Sequence, residues 1–80
     1  MPNKQIFLEN ICYTPLVFGR FNKKLGLNLS ELEIKQLVNQ IISADNTIFQ
    51  KEGKNYYLQY EKIELVINSF NYRLITANRI

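Results

Sequence analysis

The stretch 55–78, NYYLQYEKIELVINSFNYRLITAN, decides the fold of this chain. The large apolar residues Ile63, Leu65 and Ile67 occupy every second position in its middle. This period of two is typical of a β-strand with one buried face. The same alternation occurs earlier, at 56–60, and again near the end of the stretch, with short polar gaps between the runs. The stretch therefore predicts an antiparallel meander.

Two helices are predicted upstream, at about 4–13 and 15–25. Thr14 and Pro15 separate them, because proline disfavours helical geometry in the residue before it but suits the first position of a new helix. Gly26 is a natural end for the second helix, since glycine readily adopts the left-handed conformation that closes many helices. In this second helix a four-residue spacing predicts a buried stripe of Val17, Phe21 and Leu25.

A third helix is predicted at about 31–43, and its start carries a clear signal. Ser30 and Glu33 fit a capping box, in which each side chain accepts a hydrogen bond from the backbone N–H of the other. Apolar residues then recur at the spacing of one helical face. This stripe comprises Ile34, Leu37, Val38, Ile41 and Ile42.

One more short strand precedes the meander, joined to it by a turn that contains Gly53. The four predicted strands lie at about 47–51, 55–60, 63–68 and 72–77. Helices followed by strands indicate an α+β domain in which the helices pack on one face of the sheet. With 80 residues, the chain is expected to form a single domain, 1–80.

One face of the meander should belong to the core, because the helical stripes need an apolar surface to cover them. The side that carries Ile63, Leu65 and Ile67 is the expected core face. The opposite face, the turn at 68–71 and the strand that carries Arg73 then remain for contacts with a partner.

The composition limits the chemistry. The chain has no histidine and one cysteine, Cys12, so a disulfide within the chain and a multi-cysteine metal site are excluded. Because Cys12 falls on the apolar face of the predicted first helix, we expect a buried structural thiol. We expect no cofactor or bound metal. No signal peptide and no run of about 18 apolar residues is present, so we expect a cytoplasmic protein that does not contact a membrane.

Four blocks of sequence carry a resemblance to a known family. They are ENICYTPLVFGRFNKKLG at 9–26, the capped helix after Ser30, GKNYYL at 53–58 and INSFNYRLITANR at 67–79. Together they resemble a family of short, single-domain bacterial proteins classed as a domain of unknown function. The resemblance implies a stand-alone domain of this size and no activity, cofactor or catalytic residue.

The basic residues Arg20, Lys23 and Lys24 form the first candidate site. Arg20 and Lys24 lie one helical turn apart with Lys23 beside them, so the three could present one positive face to phosphates. The alternative is a solvated helix face whose lysines favour the helix dipole near its end.

The aromatic and basic content of the sheet forms the second candidate site. Tyrosines beside arginines could stack on bases or hold a loop of a partner protein. The alternative is that the tyrosines are ordinary strand residues, enriched there for packing. The residues concerned are Tyr56, Tyr57, Tyr60, Tyr72, Arg73 and Arg79, with Asn68 and Asn71 in the adjoining turn.

An enzyme is the less favoured hypothesis, because the commonest general base is missing and no phosphate loop is present. A histidine-free ribonuclease of the kind found among compact bacterial toxins stays open by analogy. Its candidate residues would be Lys54, Glu64, Tyr72 and Arg73.

The favoured function is therefore a small cytoplasmic, non-enzymatic binding or regulatory protein that contacts a protein or a small ligand through its aromatic and basic sheet surface. The main alternative is a nucleic-acid-binding domain with helices and a hairpin arranged somewhat like a winged helix. A homodimer formed through the sheet edge or the tyrosine face also stays open.

Overall fold

A computed structural model describes residues 3–80. Three helices precede four strands, which confirms the predicted α+β fold. The helices are α1 (Lys4–Asn10), α2 (Pro15–Leu25) and α3 (Glu31–Ser43). The strands are β1 (Ile48–Glu52), β2 (Asn55–Tyr60), β3 (Ile63–Asn68) and β4 (Leu74–Arg79). Within residues 3–80, none of the helices is long and apolar enough to cross a bilayer.

Helices α2 and α3 begin where their local chemistry predicts, and α2 also ends where predicted. Pro15 occupies the first turn of α2, and Gly26 closes that helix with a left-handed φ of 65°. The capping box of α3 is complete, since the Glu33 N–H donates to the Ser30 hydroxyl over 3.2 Å and the Ser30 N–H donates to the Glu33 carboxylate over 2.9 Å. The pKa of the Glu33 carboxyl is lowered by hydrogen bonds from Ser30, first from its backbone N–H and then from its side chain, because they favour the charged carboxylate.

The predicted end of the first helix, near residue 13, is wrong, because α1 ends at Asn10. Cys12 instead forms a parallel bridge with Arg73, the residue just before β4. The Cys12 N–H donates to the Tyr72 carbonyl over 3.1 Å, and the Leu74 N–H donates to the Cys12 carbonyl over 2.9 Å. The expectation of a buried thiol is wrong for the same reason, since this extended segment leaves Cys12 exposed.

The four strands form one antiparallel sheet in the order β1-β2-β3-β4. The predicted core face is confirmed, because Leu65 and Ile67 are fully buried and Ile63 packs against the core. The three helices cover this same face. Their buried residues are Phe7, Val17, Phe21, Leu25, Ile34, Val38, Ile41 and Ile42.

The start of the last strand differs from the prediction. Tyr72 has a φ of 56°, in the left-handed region, so β4 begins at Leu74 and not at Tyr72. The pairing of β3 with β4 is then irregular, because Val66 pairs with Thr76 while Ile67 pairs with Leu74. Ile75 is left as the extra residue of a β-bulge. The predicted alternation of 72, 74 and 76 on one face is therefore broken.

Candidate functional site

α2 lies beside β4, and basic side chains of the helix reach across to the strand. The Arg20 guanidinium donates to the Ile75 carbonyl over 3.3 Å, and the Lys24 ammonium donates to the Asn78 side-chain oxygen over 3.4 Å. Both acceptors are neutral, so these hydrogen bonds position the two cations without cancelling their charge. Lys23 is exposed in the last turn of the same helix.

Arg73 extends this line of positive charge toward the other end of the strand. It lies exposed one residue before β4 and two residues before Ile75. Since a strand rises about 3.3 Å per residue, the path from Arg73 to the Asn78 that holds Lys24 is about 16 Å. We call Arg20, Lys23, Lys24 and Arg73 the basic edge.

Acidic residues are missing from both segments that form the basic edge. Residues 10–30 and 65–80 contain no Asp or Glu, although they hold five of the ten Lys and Arg residues of the chain. All seven acidic residues lie in the remainder, where they outnumber the cations. Because the fold packs α2 against β4, the two acid-free segments lie together in the molecule, and Glu64 of β3, which pairs with Asn78, is the acidic residue beside them.

Two large apolar side chains are exposed beside the Arg73 end of the basic edge. Phe70, at the tip of the turn between β3 and β4, is 77% exposed, and Leu16, in the first turn of α2, is 81% exposed. The sequence analysis kept the turn at 68–71 as a candidate contact region but did not single out Phe70. The signal was its place between Ser69 and Asn71, because an aromatic residue inside a polar turn has no strand face on which to be buried.

Asn68 and Asn71 build the turn that presents Phe70. The Asn68 side-chain oxygen accepts from the N–H of Phe70 over 2.8 Å and from that of Asn71 over 3.1 Å. The Asn71 side-chain oxygen accepts from the Arg73 N–H over 3.0 Å. The two predicted site asparagines therefore fix the backbone around Phe70 and Arg73.

The tyrosines lie mostly on the core side. The Tyr72 ring stacks on Tyr56 at 6.4 Å between centroids and meets the edge of Phe7 at 5.3 Å. Tyr60 also packs against the core, whereas Tyr57 pairs with Val66 and lies on the opposite face of the sheet. Of these four tyrosines, Tyr57 is the one on the sheet face away from the helices, and all four are half-buried.

The residues considered for a ribonuclease site are not gathered into one place. Glu64 accepts a hydrogen bond from Gln59 over 3.3 Å on the face away from the helices. It lies four residues along β3 from Asn68, or about 13 Å from the turn that leads to Arg73. Tyr72 is held in the aromatic packing on the other face. Across residues 3–80 no three His, Cys, Asp or Glu side chains come close enough together to hold a metal ion.

An aromatic and cationic stack fixes the start of α2 against α3. The rings of Tyr13 and Phe18 stack at 5.5 Å, and the Lys35 ammonium lies 5.6 Å from the first centroid and 5.8 Å from the second. The Tyr13 hydroxyl is buried and has no hydrogen-bond partner among residues 3–80. Burial raises the pKa of Tyr13 to about 12, with a smaller contribution from the neighbouring Cys12.

The comparisons with known proteins identify the family and no activity. A family model described as a protein of unknown function (DUF3781) matches residues 6–78. No curated protein and no solved structure matches the chain. The predicted membership of a family of unknown function is therefore confirmed, and the chain belongs to the DUF3781 family.

Proposed function

We propose that this chain is a small cytoplasmic domain that binds single-stranded nucleic acid along the basic edge without catalysing a reaction. The observation that carries the proposal is the segregation of charge. Half of the cations, and none of the acidic residues, belong to the two segments that the fold packs together as α2 and β4. A polyanion is the partner that such a one-sided distribution attracts most strongly.

The basic edge would follow the phosphate backbone. Arg73, Arg20 and Lys24 succeed one another along β4, and the last two are already oriented by hydrogen bonds to neutral oxygens. Side chains held in place before binding lose less conformational freedom when a phosphate arrives. A line of this kind gives affinity without sequence preference.

Phe70 supplies a stacking platform at one end of this line. Single-strand-binding proteins combine cations that follow the backbone with exposed aromatic rings on which bases stack. The ring of Phe70 is 77% exposed and its turn is braced by Asn68, so it can receive a base without rearrangement of the backbone.

A single strand fits better than a duplex. A helix that reads duplex DNA inserts into the major groove, which requires one free face along its length. In α2 the cations Arg20 and Lys24 already reach sideways to β4. The hairpins also form one continuous four-stranded sheet behind the helices, and we therefore do not retain the winged-helix arrangement considered above.

The test is a titration of a fluorescently labelled oligothymidine with the purified domain, followed by anisotropy at several salt concentrations. For single strands, a plot of the logarithm of the binding constant against the logarithm of the salt concentration has a slope of about −0.7 for each phosphate neutralised. Contacts from Arg73, Arg20 and Lys24 therefore predict a slope of about −2. The double substitution Arg20→Gln with Lys24→Gln should reduce this slope to about −0.7.

The matched control is Lys4→Gln with Lys51→Gln, which removes the same charge beside and within β1, at the edge of the sheet opposite β4. Equal losses in the two double variants would show that net charge alone causes binding. No binding at low salt by the unmodified domain would overturn the proposal. Preference for an acidic peptide over the oligonucleotide would instead support the favoured protein partner of the sequence analysis.

A further inference from the structure

A pocket of about 480 Å³ opens at the end of the molecule where the β2–β3 turn, the last residues of β4 and the end of α2 meet. Its volume lies within the range of about 300–1,000 Å³ typical of small-molecule sites. The pocket shares no residue with the basic edge, although its lining residues Leu25 and Arg79 directly follow Lys24 and Asn78. The inference below does not depend on the proposed function.

The floor of the pocket is apolar. Tyr60, Ile63 and Arg79 are paired neighbours across the last row of the sheet, and this row extends past the end of α2. Leu25 closes the inner side and Leu27 stands at the mouth, with 36% of its side chain exposed. The helical layer thus leaves part of the core face of the sheet uncovered at this point.

The rim of the pocket is charged and has two cations to one carboxylate: Arg79 and Lys62 against Glu61. The Arg79 guanidinium is anchored, because it donates to the Leu25 carbonyl at the end of α2. The Ile80 N–H donates to the Lys62 carbonyl over 3.0 Å, which ties the end of the chain to the turn. The rim is therefore braced and favours an anion.

The backbone at the rim is strained. Glu61 has a φ of 54°, a left-handed conformation that is unfavourable for a residue with a Cβ. Strain of this kind often marks functional sites, where a particular side chain is kept at some cost to stability. Here the strained residue is Glu61, whose carboxylate is one of the groups that line the pocket.

We propose that the pocket binds a small amphipathic anion, with an apolar body on the floor formed by Leu25, Tyr60 and Ile63 and one acidic group at Arg79 and Lys62. Glu61 opposes the negative end of such a ligand and limits its affinity, so that binding stays reversible. The class comprises carboxylates, sulfonates and phosphate esters that carry one apolar group.

The test uses anilinonaphthalene sulfonate, whose fluorescence rises when its aromatic body enters an apolar site. We expect one saturable site on the folded domain. Decanoate, which shares an acidic group and an apolar body, should displace the probe. Decyltrimethylammonium has a chain of the same length with a positive head, and it should not. Amide NMR shifts on addition of decanoate should be largest at the pocket-lining residues.

Charge variants in the two hairpins provide matched comparisons. Lys62→Gln should weaken decanoate binding about tenfold, as expected for the loss of one charge-assisted contact. Glu61→Gln should strengthen it, because the opposing carboxylate is removed. Lys54 holds the position in the β1–β2 turn that Lys62 holds in the β2–β3 turn, so Lys54→Gln should change nothing.

Three results would overturn the proposal: equal effects of Lys54→Gln and Lys62→Gln, equal competition by the cationic surfactant, or NMR shifts located elsewhere. Leu27→Asp should abolish binding by placing a negative charge at the mouth. If that variant fails to fold, the opposite effects expected for Lys62→Gln and Glu61→Gln still decide the matter, since both residues are exposed.

Discussion

Glu61 adopts the left-handed backbone that Gly53 adopts one hairpin earlier, with φ values of 54° and 62°. Both residues come first in a two-residue loop, since Glu52 pairs with Asn55 and Tyr60 pairs with Ile63. This position of a tight hairpin favours glycine, which has no Cβ to clash with the backbone. The β1–β2 hairpin has a glycine, Gly53, at this position, whereas the β2–β3 hairpin has Glu61.

Glu61→Gly should therefore stabilise the domain by up to about 1 kcal/mol, because relief of strain outweighs the added freedom of the unfolded chain. For a domain of this size, that corresponds to a rise of about 4–8 °C in Tm. Differential scanning calorimetry measures this change in Tm. Glu52→Gly, in a strand without a left-handed φ, is the control and should destabilise. A lower Tm for Glu61→Gly would contradict the assignment of strain.

Phe70→Ala should weaken oligonucleotide binding by about five- to 150-fold, the loss expected when one base no longer stacks. The thermal stability should not change, because the ring is exposed and contributes little to the core. Anisotropy titrations and thermal unfolding measure the two effects. Leu32→Ala removes another exposed apolar side chain, 65% exposed on α3, and should leave binding unchanged. Equal losses of oligonucleotide affinity in the two variants would show that Phe70 is not part of the binding interface.

Tyr13→Phe should stabilise the domain by about 1 kcal/mol near neutral pH, because it removes a buried hydroxyl that has no hydrogen-bond partner. The folded-state pKa of about 12 exceeds the ordinary value of 10.0, so the native state holds this proton more tightly. Unmodified protein should therefore lose stability as the pH rises from about 10 to about 12. Urea unfolding across this range should show a smaller loss for the Phe variant. Parallel curves would contradict the buried position of the hydroxyl.

Glu33→Gln should reduce stability at neutral pH and have little effect in acid. The pKa of Glu33 is lowered in the folded state by its hydrogen bonds to Ser30. Its contribution is therefore present above the pKa of the unfolded chain and is lost as the pH falls through the lowered value. Urea unfolding at neutral and acidic pH should show the two proteins converging in acid. Glu31→Gln, in the same first helical turn, serves as the control for the charge.

Features with local causes could be predicted from the sequence. The start of α3 followed from Ser30 and Glu33, because the side chain of each accepts a hydrogen bond from the backbone N–H of the other within one helical turn. The buried stripes of the helices followed from spacing alone. The core face of the sheet followed from the alternation at 63–67, because β3 pairs on both sides and one face must meet the helices.

Features with distant causes could not be predicted. α1 ends early because Cys12 pairs with Arg73, which lies at the far end of the sequence. The bulge that leaves Ile75 unpaired depends on the register between β3 and β4. The alternation of apolar and polar residues within either strand does not reveal that register. In the candidate site, Arg20 and Lys24 could be named from helical spacing, but their neutral acceptors on β4 required the fold.

The bridge between Cys12 and Arg73 also sets an order of events during synthesis. The cations of α2 leave the ribosome before the strand that orients them, because α3 and three strands separate α2 from β4 in the sequence. Contacts between such distant segments form late, since a long loop must close before they are made. A nascent or truncated chain would carry the same charges without their arrangement. Under the proposed function, tight binding of a nucleic acid would then require that β4 has already paired with β3 and packed against α2.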